Sequence, residues 1–163
     1  VNVFVTGAPG CGKSTLIQQL IGQMEHCSIA GIVTPEIRKN GERQGFKLVD
    51  VATGEEAVLA SVDITPAVIG KYGVNMDGIE HIVDLFLRST MQADIIFIDE
   101  IGPMELRSPQ FKDAVHQVLQ AEQPVVATLH RRLVSRYQEH GAVIRLTRDR
   151  FDDVKQGILH RLG

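Results

Sequence analysis

One stretch, Gly7-Ala8-Pro9-Gly10-Cys11-Gly12-Lys13-Ser14-Thr15, constrains this chain more than any other. It fits G-x-x-x-x-G-K-[ST], the pattern of a phosphate-binding loop. Its flanks fit the same reading. Val1 to Thr6 is a short run of strand character, and Leu16, Ile17, Leu20, Ile21 and Met24 then recur at helical spacing. Strand, glycine-rich loop and helix start form the setting in which the pattern carries meaning. Glycines at 7, 10 and 12 allow the backbone to wrap a polyphosphate closely. The loop N–H groups and the positive end of the following helix then meet phosphate oxygens. In this reading residues 7–15 bind the nucleotide. Lys13 reaches the β- and γ-phosphates, and the Ser14 hydroxyl binds Mg²⁺. Cys11 holds a variable loop position. Its place at a helix N-terminus makes alkylation there a route to blocking the site.

A length of 163 residues suits one domain over residues 1–163 with a core of its own. The net charge of −3 argues against a nucleic-acid binder that relies on overall charge, though not against a local basic patch. Cys11 and Cys27 form neither a disulfide framework nor a zinc spacing, in keeping with a reduced, cytoplasmic compartment. No apolar run has membrane-spanning length, and no signal peptide is expected.

The second informative stretch is Asp94-Ile95-Ile96-Phe97-Ile98-Asp99-Glu100. Four consecutive apolar residues suit a strand buried on both faces of a parallel sheet. The acidic pair closes that strand at its C-terminal end, where open α/β sheets place ligands. Asp99 is therefore the candidate Mg²⁺ carboxylate. Glu100 is the candidate that orients and polarises an attacking water. A further apolar strand over 125–129 ends in His130-Arg131-Arg132. Arg131 or Arg132 is a candidate cation for the γ-phosphate, and a basic helix start at the surface explains the same pair equally well. His130 is secondary as a proton acceptor, since Glu100 already fills that role.

Residues 34–61 read as a small antiparallel β insertion, with Asn40-Gly41 as a hairpin turn and strands over 43–51 and 57–60. Arg38, Lys39, Arg43 and Lys47 lie in it, and a solvated hairpin face is the expected placement. Tyr72 is expected to be half-buried rather than stacked on a base. Asn75 and Ser108-Pro109 are expected helix starts. Further strand and helices are expected over 142–147, 134–139 and 151–162. The alternation predicts a mostly parallel sheet with helices on both faces.

Taken together, GAPGCGKSTL, GIVTPEIRKNGERQGFKLVDVATGEEAVLAS, KYGVNMDGIE, IIFIDEIGPMELRS and VVATLHRRLV resemble the cancer-related nucleoside-triphosphatase family. These are small P-loop NTPases of archaea, thermophilic bacteria and animals. The resemblance covers most of the chain. The phosphate loop is generic; TPEIR…G…GF…D…TGEE and DEIGPMEL are more specific. The resemblance implies a RecA-like α/β fold and Mg²⁺-dependent hydrolysis of several NTPs, ATP and GTP included. Lys13, Ser14, Asp99 and Glu100 match the family's motifs by position. Two rivals stand beside this reading. A small-molecule or nucleic-acid kinase would use the same loop, with Arg38 and Arg43 in a closing lid. A slow nucleotide-switched binding module is the other. It lacks the Asn-Lys-x-Asp guanine reader of a GTP switch, of which Thr147-Arg148-Asp149 is a poor echo. A monomer is expected.

Overall fold

The computed structural model describes all 163 residues, Val1 to Gly163. The first half contains β1 (Asn2–Thr6), α1 (Lys13–Gln23), β2 (Ile29–Val33), β3 (Glu36–Lys39), β4 (Glu42–Asp50), β5 (Glu56–Ser61), β6 (Gly73–Val74) and α2 (Met76–Thr90). The second half contains β7 (Ile95–Ile101), α3 (Pro109–Leu119), β8 (Val125–Leu129), α4 (Val134–Tyr137), β9 (Ala142–Arg145) and α5 (Phe151–Leu162). Short 3₁₀ turns over Glu105–Arg107, Arg131–Leu133, Gln138–His140 and Arg148–Arg150 link several of them.

All strands join one sheet in the order β6-β5-β4-β2-β7-β8-β1-β9, with β3 paired to β4. The β2-β7-β8-β1-β9 part is parallel. Its strands are apolar on both sides because both faces are covered. Strand alternation divides the side chains between two cores. Val3, Val5, Ile95, Phe97 and Val126 face the layer of α1 and α5. Phe4, Ile96, Ile98, Ala127 and Leu129 face the layer of α2, α3 and α4. Phe97 and Ile98, each at most 1 % exposed, contribute about 1.5–3 kcal/mol apiece by leaving water.

The insertion is continuous with this sheet rather than a separate layer. β4 pairs antiparallel with the edge of β2, and β5 and β6 extend the sheet outward. Its last strand therefore lies as far on as Val74. Asn40 (φ 53°) and Gly41 (φ 78°) both take positive φ between paired Lys39 and Glu42, the geometry of a tight two-residue hairpin. α2 packs across β2, β4 and β5, which ties the insertion to the main core.

Two expected helix starts have the anticipated caps. Asn75 Oδ1 accepts from the N–H of Gly78, and Ser108 Oγ accepts from that of Phe111 ahead of Pro109. The helix expected over 134–139 is one α turn that tightens to 3₁₀ through His140. Gly141 follows because a Cβ there would stand 2.5 Å from the carbonyl oxygen of Asn2. The strand expected over 142–147 ends at Arg145. Tyr72 is buried, not half-buried: its ring packs edge-on against Phe46 and its hydroxyl accepts from Arg43.

Candidate active site

The glycine-rich loop joins β1 to α1 at the C-terminal edge of the parallel strands. Gly12 sits at the head of α1 in the left-handed region (φ 107°), where an L side chain is strained. No side chain caps α1, and its first turn carries no acidic residue. Its leading N–H groups and partial positive charge are thus available to an anion. At Gly7 the constraint is space: a Cβ would stand 2.7 Å from the backbone oxygen of Leu146. Lys13 lies over the loop, its Nζ donating to the carbonyls of Gly7 (2.8 Å) and Ala8 (3.4 Å). Arg148, to which the sequence assigns no role, braces the loop from the far side. Its Nε and Nη2 donate to the Gly10 carbonyl at 3.3 and 3.0 Å.

β8 lies between the loop strand β1 and the acidic strand β7. That placement brings Thr128 against Asp99, with the Thr128 hydroxyl donating to Asp99 Oδ1 at 2.6 Å. From the other side Thr34 Oγ1 donates to the Asp99 carbonyl at 2.7 Å. The β7–β8 register shifts between Ile98 and Ile101. Successive strand residues normally face opposite sides, and an irregularity of this kind re-aims them. Asp99 and Glu100 both face the same cavity.

That cavity has a volume of about 470 Å³. It brings Gly7, Pro9, Gly10, Gly12, Lys13, Ser14 and Thr15 together with Asp99 and Glu100. His130 and Arg131 also line it, whereas Arg132 does not. Ala8 and Cys11 face a neighbouring depression with Arg145 and Arg148. Cys11 is 9 % exposed and also packs in the core on the α1 side. The fourth wall comes from the insertion: Thr34, Glu36, Arg43 and Phe46. Arg43 is solvated as expected, its side chain 45 % exposed, and it lines the cavity as well. Its guanidinium lies 5.2 Å from the Phe46 ring centroid, donates to the Tyr72 hydroxyl at 2.9 Å and pairs with Glu36 at 3.4 Å. Arg38 and Lys47 also occupy the exposed face, paired with Glu36 and Glu56.

Electrostatics follow from burial beside cations. Desolvation raises the Asp99 pKa, opposed by the Thr128 hydroxyl, Ser14 and Lys13. Desolvation raises Glu100 too, and the Asp99 charge adds to it, with Lys13 opposing. Desolvation lowers His130, aided by Arg132, Arg131 and Lys13, so the ring favours its neutral form. His130 Nδ1 accepts from the Arg132 N–H at 3.2 Å, which leaves the ring proton on Nε2. That tautomer suits a donor better than the proton acceptor considered from sequence.

The donor set also bears on a metal. Ser14 and Asp99 offer a hydroxyl and a carboxylate oxygen side by side, hard donors that fit Mg²⁺. The chain has no group of three His, Cys, Asp or Glu side chains able to hold an ion alone. A cation here takes the rest of its shell from substrate phosphates and water, the usual arrangement for Mg²⁺. Glu105, which the sequence leaves in a loop without a role, is buried directly behind Glu100.

Comparison with known proteins points the same way. A family model described as NTPase matches residues 2–159. The nucleoside-triphosphatase THEP1 of Methanocaldococcus jannaschii is 34 % identical over 165 residues, covering 99 % of this chain and 97 % of that protein. The THEP1 of Thermococcus kodakarensis is 41 % identical over 150 residues, covering 88 % and 83 %. The crystal structure of THEP1 from the hyperthermophile Aquifex aeolicus matches with a TM-score of 0.83 at 30 % identity, covering 99 % of both chains. The solution structure of a human cancer-related nucleoside triphosphatase matches with a TM-score of 0.79 at 28 % identity, covering 99 % of this chain and 96 % of that one.

Proposed function

The chain belongs to the NTPase family, and on that premise we propose that it is a Mg²⁺-dependent nucleoside-triphosphatase. It hydrolyses ATP, GTP and other NTPs to the diphosphate and phosphate. One observation carries the reading: the loop, Lys13, Ser14, Asp99, Glu100 and Arg131 line a single cavity. In this proposal the loop N–H groups and Lys13 hold the β- and γ-phosphates. Ser14 and Asp99 would hold Mg²⁺, which supplies charge neutralisation on the phosphate oxygens when bound. Such a cation beside Asp99 favours its ionised form, against the effect of burial.

Glu100 orients the attacking water in line with the γ-phosphate and takes up its proton. A raised pKa suits that task, because it makes the carboxylate a stronger proton acceptor than an ordinary glutamate. Arg131 meets charge that builds on the γ-phosphate oxygens. His130, with its proton on Nε2, is a further donor at the same wall. Charge stabilisation dominates here because phosphoryl transfer needs little covalent help. Soluble, cytoplasmic action on free nucleotides is part of the same proposal.

A second reading has one observation in its favour. Glu36, Arg43 and Phe46 close the cavity opposite the loop and make a wall against which an acceptor could lie. A kinase would transfer the phosphoryl group there. The fate of a γ-label separates the two. The account expects free phosphate from both γ-labelled ATP and γ-labelled GTP with Mg²⁺ and no added acceptor. Tight binding without release, followed by labelling of an added small molecule, would replace hydrolase with kinase.

A further inference from the structure

Glu105 is only 4 % exposed, yet its Oε2 has no hydrogen-bond partner in the protein. An unpaired polar atom at that depth is costly and calls for an explanation. It lies at the start of the 3₁₀ turn that follows β7, with Gly102 between it and Glu100. A Cβ on Gly102 would stand 2.9 Å from Glu100 Oε1 and 3.1 Å from Glu105 Oε2. The two carboxyl oxygens thus flank the same small space, kept open by a glycine. Two ionised carboxylates would repel each other across it.

Resting on the role given above to Glu100, we propose that Glu105 is a positioning residue. It is a neutral carboxylic acid whose O–H is directed across Gly102 at Glu100 and holds that carboxylate in the orientation from which it engages water. The surroundings agree. Burial holds Glu105 well above the usual carboxylate range, and the charges of Glu100 and Asp99 push it further, against nearby backbone N–H groups of Glu105 and Gly102. A neutral acid here donates one hydrogen bond and adds no charge. An ionised one would weaken the hold of Lys13 on the phosphates and raise Glu100 further.

The chemistry predicts a specific pattern of rescue. Glutamine is neutral, nearly isosteric and keeps a donor; leucine fills the space and has none. We would measure kcat, KM and the Kd of a non-hydrolysable NTP for wild type, Glu105→Gln, Glu105→Leu and Glu100→Gln. Glu105→Gln should keep kcat within about threefold of wild type, while Glu105→Leu loses about 10- to 100-fold in kcat with KM and Kd held within about twofold. A residue that only packs the core would not give that split. Wild-type kcat in Glu105→Leu overturns the inference. So does a Glu105→Gln variant as slow as Glu105→Leu, because it would mean that the ionised form is needed. Should Glu105→Leu fail to fold, Gly102→Ala takes its place. Its methyl enters the gap between the carboxyls, and wild-type kcat there likewise overturns the inference. Glu100→Gln separates this claim from the one beneath it. Full activity in Glu100→Gln sinks the role of Glu100 itself, whereas an inactive Glu100→Gln beside a fully active Glu105→Leu sinks only that of Glu105.

Discussion

In the proposed mechanism Lys13 and Glu100 divide binding from chemistry at the level of single side chains. Lys13 donates to two loop carbonyls and stands over the loop. Lys13→Ala is expected to weaken NTP binding and lower turnover by about 100-fold or more, because a preorganised donor is worth that much in a dry site. Normal turnover in that variant would remove the loop from the mechanism. The buried acid at 105 gives a second prediction, in stability. Its folded pKa is raised well above the ordinary 4.5, so the folded chain keeps a proton that the unfolded chain releases. Stability from this group is therefore whole at pH below the unfolded value and falls as pH climbs towards the folded value. Glutamine at 105 removes that loss. The unfolding free energies of Glu105→Gln and wild type should diverge in favour of Glu105→Gln as pH rises, by at most about 1.4 kcal/mol per pH unit. A gap independent of pH would show that Glu105 is ionised when folded. That Lys13, Ser14, Asp99 and Glu100 meet in one cavity was legible in sequence because each sits in a contiguous motif. Thr128, Arg148 and Glu105 were not. A threonine inside an apolar strand, an arginine in a turn and a glutamate in a loop acquire meaning only when tertiary packing sets them beside Asp99, Gly10 and Glu100.

At the level of elements, the site depends on how strands and helices begin and end. α1 opens with a left-handed glycine and bare N–H groups, whereas α2 and α3 open with side-chain caps. The contrast separates a helix start available to a ligand from two that are closed by the protein. Asn75 does more than cap. Its Oδ1 accepts from Gly78 while its Nδ2 donates to the Val58 carbonyl on β5 at 2.9 Å. Asn75→Ala should destabilise the fold by about 1–2 kcal/mol, at the upper end for a lost cap, since it also unpins α2 from the insertion. A change within a few tenths of a kcal/mol in chemical unfolding would contradict that link. Gly12→Ala should likewise cost about 1–2 kcal/mol through left-handed strain and weaken nucleotide binding with it. Equal stability and affinity would contradict the loop geometry. Long buried strands and the Asn40-Gly41 hairpin were readable because their local chemistry is strong. β6 was not, since two residues, Gly73 and Val74, carry no periodicity and pair with β5 only once the meander exists. The contacts of Arg43 were not legible for the same reason: its partners Phe46, Tyr72 and Glu36 come from three different segments.

The whole molecule couples these parts through one sheet. β7 and β1 deliver the acidic pair and the loop to one edge, β8 spaces them, and the insertion adds the wall that faces them. A ligand that bridges the loop and Asp99 should therefore stabilise the entire fold. A non-hydrolysable NTP with Mg²⁺ at about 100 times its Kd should add about 2.7 kcal/mol to wild type and to Glu100→Gln. The same concentration should add little to Lys13→Ala. Equal stabilisation of all three would place the nucleotide elsewhere. The central claim is that Glu100 performs chemistry that the rest of the site only prepares. Its most direct test is single-turnover hydrolysis of γ-labelled ATP by wild type and Glu100→Gln, each saturated with nucleotide and Mg²⁺. The account predicts matched affinities, with phosphate release about 10²–10⁴-fold slower in Glu100→Gln, the range for removal of a positioned base. Equal rates at equal occupancy would contradict it.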